Sequence, residues 1–367
     1  MKNHSSQQRN DYQSAVKRQQ DRVGSSESPL LMETDSRWLI AIFLICCYLL
    51  LSFFIGIRAG ITADSEGPLS DEVPVEGPPL FKTIEGAKTY IVQHQNKDGG
   101  WPLIPGGDSN VENTAFAVWA LIDAGWGTGS QVVRMGVQYL RNTQWDNGSW
   151  NNNTAHTTFA LIALAAAETD PEVRFKGLQW LKKAQNRSGA WGKKERSPDN
   201  VLYTAAVLAG FRRLGFEKNF EPISKGANWL EKGINFDGGW ALERGGRSDV
   251  FITSWVVQGL ETVYNINIQI AWLKQFQNDD GGFGRYKGSP SDPEITAIAV
   301  MALAAGNDPL NTRRIAINYL TNMWQENGSF ISNTPIELSE PTANLQSTCF
   351  VLIAIHAKTP DELAVEQ

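Results

Sequence analysis

Cysteine, histidine and basic charge are all scarce in this chain. Its three cysteines are an adjacent pair, Cys46 and Cys47, within an apolar run, and a solitary Cys349. They allow no disulfide framework, zinc cluster or redox pair, and Cys349, on an apolar stretch, reads as a small core residue. Lysine and arginine total 33 against 39 aspartates and glutamates, a net charge of −6, so no nucleic-acid footprint is expected. Neither a metal nor a cofactor is expected.

What is abundant is arranged in blocks. Residues 1–36 are rich in Gln, Ser and Arg and lack an apolar period, which predicts a disordered tail. Residues 38–57, closed by Arg37 and Arg58, carry no charge and reach the length of about 20 residues that a helix needs to cross a bilayer. Lys17, Arg18, Arg22 and Arg37 precede the run, while Asp64, Glu66, Asp71, Glu72 and Glu76 follow it. Basic residues stay on the cytoplasmic side, so 37–58 reads as an uncleaved single-pass anchor, with a cytoplasmic N-terminus and the remaining chain extracytoplasmic. A Pro-containing acidic linker, 59–80, leads to a domain at 81–358, and 359–367 form a C-terminal tail.

The domain is built on a repeat. Gln277-Asn278-Asp279-Asp280-Gly281-Gly282-Phe283 has imperfect copies ending at Trp101, Trp150, Trp191, Trp240 and Phe330, about forty to fifty residues apart, the period of stacked supersecondary units. Asn, Asp and Gly in succession mark a tight turn. The aromatic that follows supplies buried surface and, as Trp, an N–H donor.

Between the turns two helix types alternate. Amphipathic segments are expected near 82–95, 129–143, 171–184, 221–232, 266–276 and 310–324; Ala316, Tyr319, Leu320, Met323 and Trp324 illustrate the spacing. Segments apolar nearly all round are expected near 111–124, 154–167, 200–214, 250–264, 294–305 and 342–357, and these must be buried on more than one side. The count opens on an outer helix and closes on an inner one, so the last inner helix has to pack beside the first outer helix. An all-α, α6/α6 toroid follows, a double-layered barrel of six helical hairpins.

These Gln-to-Trp turns resemble those of the prenyltransferase and squalene-cyclase repeat family, whose members are α/α toroids, over roughly 81–358. The resemblance implies a central cavity for an isoprenoid or other apolar ligand. Cyclases of the family initiate with Asp-x-Asp-Asp-Thr-Ala at the head of an inner helix, and Asn110-Val111-Glu112-Asn113-Thr114-Ala115 is the best match. By that resemblance Glu112 takes the proton donor's place, while Asn110 and Asn113 take those of the assisting acids. Asp292-Pro293-Glu294-Ile295-Thr296-Ala297 is a second, partial match and makes Glu294 a second candidate. Both glutamates also sit where a helix dipole favours an acid.

Asn110, Asn153, Asn200, Asp249 and Asp292 share one repeat position, suited either to helix caps or to the polar lip of a pocket. Phe116, Trp119, Tyr203, Phe251 and Trp255 are candidates for an apolar or cation-stabilising wall, and His156 for a further contact. Protein prenyltransferase and thioester readings lack their zinc ligands and their Cys-Gly-Glu-Gln segment. Three readings stay open: a terpene-cyclase-like intramolecular transferase (isomerase), a non-catalytic binding toroid, and an extracytoplasmic polysaccharide lyase or hydrolase.

Overall fold

The structure is a computed structural model and describes residues 80–357 apart from 309, 333 and 335–337. The expected tail, membrane span, linker to residue 79 and C-terminal tail lie outside the described residues. The outer helices are α1 (Leu80–Gln93), α3 (Gln131–Asn142), α5 (Pro171–Ala184), α7 (Glu221–Glu231), α9 (Asn267–Lys274) and α11 (Leu310–Asn322). The inner helices are α2 (Val111–Asp123), α4 (Thr154–Ala166), α6 (Val201–Arg213), α8 (Val250–Leu260), α10 (Pro293–Ala305) and α12 (Leu345–Ile355).

Each inner helix packs against the next, and α12 returns to pack on both α2 and α1. The ring is closed, as the helix count required. Burial explains why the inner helices are apolar all round: every residue of α10 is buried.

Three hydrogen-bonding devices recur. Asn110, Asn153, Asn200, Asp249, Asp292 and Asn344 cap the inner helices, each side chain accepting from a first-turn N–H, and such a cap contributes about 1 kcal/mol. Four residues further on stands a buried threonine: Thr114, Thr157, Thr204, Thr253, Thr296 or Thr348. Its hydroxyl accepts the backbone N–H of the aromatic that ends the preceding turn, at 2.9 Å for Trp101 and 3.2 Å for Phe330. The indole Nε1–H groups of Trp101, Trp150, Trp191 and Trp240 donate to Ile91, Leu140, Leu181 and Leu230 carbonyls at 2.6–2.9 Å.

The turn glutamine joins neighbours. Gln95 Nε2 donates to Gly99 O in its own turn and to Val132 O on the next outer helix, both at 2.9 Å, and Gln144, Gln185 and Gln277 do the same. Gly189, at φ +98°, shows why the turn needs glycine: a Cβ there would lie 2.6 Å from the Lys225 carbonyl. Gly328 of the sixth turn meets the Gly86 backbone on α1 in the same manner, so the final turn docks on the first outer helix.

Two local features depart from the sequence pattern. Helix α8 stops at Leu260, and the chain turns through 261–264. Helix α12 begins at Leu345 because β2 (Thr342–Asn344) pairs antiparallel with β1 (Phe330–Ser332); strands of three residues are too short to show a period of two.

Candidate functional site

The caps supply a common register for the inner helices. Counting from each cap, the second residues are Glu112, Ala155, Leu202, Phe251, Glu294 and Gln346, and the sixth are Phe116, Phe159, Ala206, Trp255, Ile298 and Phe350. At this N-terminal end of the ring lies a cavity of about 310 Å³. Its walls are second and third positions, with Glu112, Ala155, His156, Leu202, Tyr203, Phe251, Ile252 and Gln346; Asn153, Lys193, Leu242, Arg285 and Thr334 complete the upper part.

The sixth positions form the floor. Phe116 stands 4.7 Å from Phe159 and 4.5 Å from Phe350, while Trp255 stands 5.7 Å from Phe159 and 6.1 Å from Phe350, between ring centroids. These tilted and edge-on contacts are the arrangement that ring quadrupoles favour. All four rings are buried. The lumen is therefore blocked one helical turn below its rim.

Glu112 is the one acid among the described lining residues. Its side chain is partly exposed, and Oε2 is 3.8 Å from His156 Nε2. Burial, with Lys193 adding to it, pushes the His156 pKa down to about 4, so the ring is neutral near pH 7. The Asn151 amide nitrogen lies 3.1 Å from Nδ1; Nδ1 then accepts, and the ring proton sits on Nε2, facing Glu112.

Cationic groups also reach the cavity. Arg285 Nη1 pairs with Asp249 Oδ2 at 3.2 Å, and its guanidinium lies 5.5 Å from the centre of the Phe251 ring. Burial raises the Asp249 pKa, opposed by Arg285 and by the amides it caps. Lys193 is exposed beside them.

Glu294 lies outside the lining although Gln346, its partner, is part of it. The carboxyl group is fully buried, accepting from Ser347 Oγ at 2.5 Å and Gln346 Nε2 at 2.9 Å. Burial is the main cause that pushes its pKa up to about 8, with Asp292 and Glu112 adding to the rise against the two hydrogen bonds. Near neutral pH it is an uncharged acid.

Of the residues expected from the sequence, Glu112, Phe116, His156, Tyr203, Phe251 and Trp255 line the cavity. Asn110, Asn113, Trp119, Asp249, Asp292 and Glu294 do not. Asn110 caps α2 and also accepts from Asn113 Nδ2 at 3.0 Å. Asp292 caps α10 while accepting from Ser332 and Thr334 hydroxyls. Trp119 sits toward the other end of α2, donating to Asp123 and carrying Arg213 over its ring at 4.4 Å.

Phe159, Phe350, Ala206 and Gln346 were not anticipated, although counting six residues from every cap finds the first three. Lys193 and Arg285 come from loops that offer no such count. The register also recasts the Thr-Ala portion of the acid-motif match: its threonine recurs in all six repeats as the acceptor beneath the turn aromatic.

A closed helical toroid with an aromatic-floored pocket at one mouth is the class that these observations define. The family profile of the squalene-hopene cyclase C-terminal domain matches residues 75–160, 154–250 and 198–336, and the chain belongs to that family. A probable squalene–hopene cyclase of Sinorhizobium fredii is 29% identical over 171 residues, covering 36% of this chain and 26% of the relative. Drimenyl diphosphate synthase of Streptomyces showdoensis is 31% identical over 140 residues, covering 34% and 26%. The chain thus spans about a quarter of the length of these curated relatives.

Solved structures agree on the fold. A protein from Actinoplanes superposes with TM-score 0.62 at 19% identity, covering 76% of this chain and 99% of its own. The type II terpene cyclase MstE from Scytonema gives 0.60 at 16% identity, covering 76% and 97%; a variant of it is solved with geranylgeranyl dihydroxybenzoate as substrate. A glycosidase variant gives 0.55 at 15% identity, covering 82% and 100%. These likenesses speak to fold alone.

Proposed function

We propose that the cavity receives one end of a linear isoprenoid, and that Glu112 serves there as the acid of a type II terpene-cyclase-like isomerisation. The observation that carries the reading is the pairing of one wall carboxyl with a floor of four aromatic rings. A protonated Glu112 would deliver its proton to an alkene carbon: the π pair forms the new C–H bond and leaves a tertiary cation on the neighbouring carbon. Ring closure consumes a second alkene, and loss of a proton ends the sequence.

Aromatic π faces stabilise such a cation by about 2 kcal/mol each when desolvated. His156 is neutral near pH 7, so it places no positive charge beside the Glu112 carboxyl 3.8 Å away. Glu294 is sealed behind Gln346 and Ser347, so its role is to hold that wall in place. The isoprenoid substrate of MstE supports the ligand class, and its likeness to this chain is one of fold.

The test is turnover of linear isoprenoids by the full-length protein beside Glu112→Gln. Cyclised product from the native protein and its loss in the variant are expected. Tight binding without product would leave a binding toroid, and equal activity in the variant would remove Glu112 from the reaction. A glycosidase would need paired carboxylates across an open cleft, which the one acid among the described lining residues does not supply.

The charge-free run 38–57 is proposed as a membrane anchor, with the toroid outside the cytoplasm. Protease added to intact cells should then digest the toroid. Protection until lysis would reverse the orientation.

A further inference from the structure

We infer that the aromatic floor is a chain-length stop, set by the sixth residue after each inner-helix cap, and that it limits the buried part of the ligand to about two isoprene units. The inference rests on the isoprenoid reading above and specifies how much of the ligand that site takes. A cavity of about 310 Å³, at roughly 30 Å³ for a water-sized group in a liquid, holds about ten heavy atoms.

Among the described residues, one layer of rings closes the lumen below the cavity. Phe116, Phe159, Trp255 and Phe350 touch in a continuous arc at centroid separations of 4.5–6.1 Å. Their exposures of 1–5% leave no open gap between the rings. Ala206, also lining the cavity, is the small member of the same layer. Depth is thus set by one layer of side chains, which can be lowered at Phe159 or raised at Ala206 without touching Glu112 or His156.

Phe159→Ala removes a phenyl ring, which frees room for about one further isoprene unit. Ala206→Leu replaces a methyl by an isobutyl group over the floor, a gain of about three carbons that takes away most of one unit. The experiment is calorimetric titration of the full-length native protein and both variants with linear isoprenols of one, two, three and four units. Folding of each variant is checked by circular dichroism.

For the native protein, affinity should rise at least tenfold from one unit to two, about 1.4 kcal/mol, and then level off. In Phe159→Ala the levelling should move to three units, and in Ala206→Leu to one. Should Phe159→Ala fail to fold, the Ala206→Leu profile decides alone. Binding by the native protein with levelling at the same length in every folded variant would overturn the stop while leaving the isoprenoid reading intact. No binding of any isoprenol would overturn the isoprenoid reading itself, and the stop with it.

Discussion

Replacing Glu294 by glutamine should stabilise the protein markedly at pH 8 and only slightly at pH 5. In the unfolded chain this carboxyl titrates near 4.5, whereas in the fold burial pushes it up to about 8. Between those values the folded state keeps a proton that the unfolded state has released. Stability therefore falls as pH rises, by about 1.4 kcal/mol per unit. Below pH 4.5 the cost is absent, and above 8 it is complete. Over a window of about 3.5 units it reaches an order of 5 kcal/mol, a large share of the 5–15 kcal/mol typical of a domain.

Glutamine preserves the local bonding while removing the titration. Its oxygen can accept from Gln346 Nε2, and its amide can donate to Ser347 Oγ, across the contacts now at 2.9 and 2.5 Å. Urea unfolding of both proteins from pH 5 to 9 is the assay, read as the difference between the two stability curves so that other titrating groups cancel. A difference that widens in favour of the variant up to about pH 8 is expected. Parallel curves, or a variant less stable than the native protein at pH 8, would refute the argument.

Other consequences are local. Trp150→Phe keeps an aromatic plug, as Phe283 and Phe330 do naturally, but loses the 2.7 Å donation to Leu140 O; denaturant melts should show a loss of about 1–2 kcal/mol. Gly189→Ala forces a left-handed backbone and a clash with the Lys225 carbonyl, so its melting temperature should drop by several degrees, on the scale of about 1–3 kcal/mol. His156, held near 4 by burial, binds no proton in the fold at pH values where the unfolded ring begins to. That contribution to stability declines as pH falls from 6.5 toward 4, and a proton NMR titration should show no imidazole inflection for His156 above pH 5.

The architecture was legible because turn chemistry and apolar periodicity repeat: a signal seen six times resists the accidents of any one copy. Boundaries of α5 at Pro171 and Ala184 coincide with expectation, since Asp170 and Pro171 signal that start directly. The ribbon of β1 and β2 was illegible because three-residue strands borrow stability from the helices they touch. At the site, the acid-motif resemblance singled out Glu112, which lines the cavity, yet the same match selected Asn110, and the shared repeat position selected Asp292, whose side chains are committed to backbone N–H groups. Helix position alone cannot separate the second residue after a cap from the cap itself when only one repeat is compared. Lys193 and Arg285 reach the cavity from loops, where no periodicity tells which way a side chain turns.

Because α12 lies against α1, the order in which the six hairpins are threaded is incidental to their packing. A permuted gene that splices the end of α12 to the start of α1 and opens the chain at the exposed Gly127–Gly129 loop would encode the same set of neighbours. Excising one hairpin is a different operation, since the five left behind must adopt a tighter curvature or stay agape. The molecule is thus indifferent to where its polypeptide begins and exacting about how many units it contains.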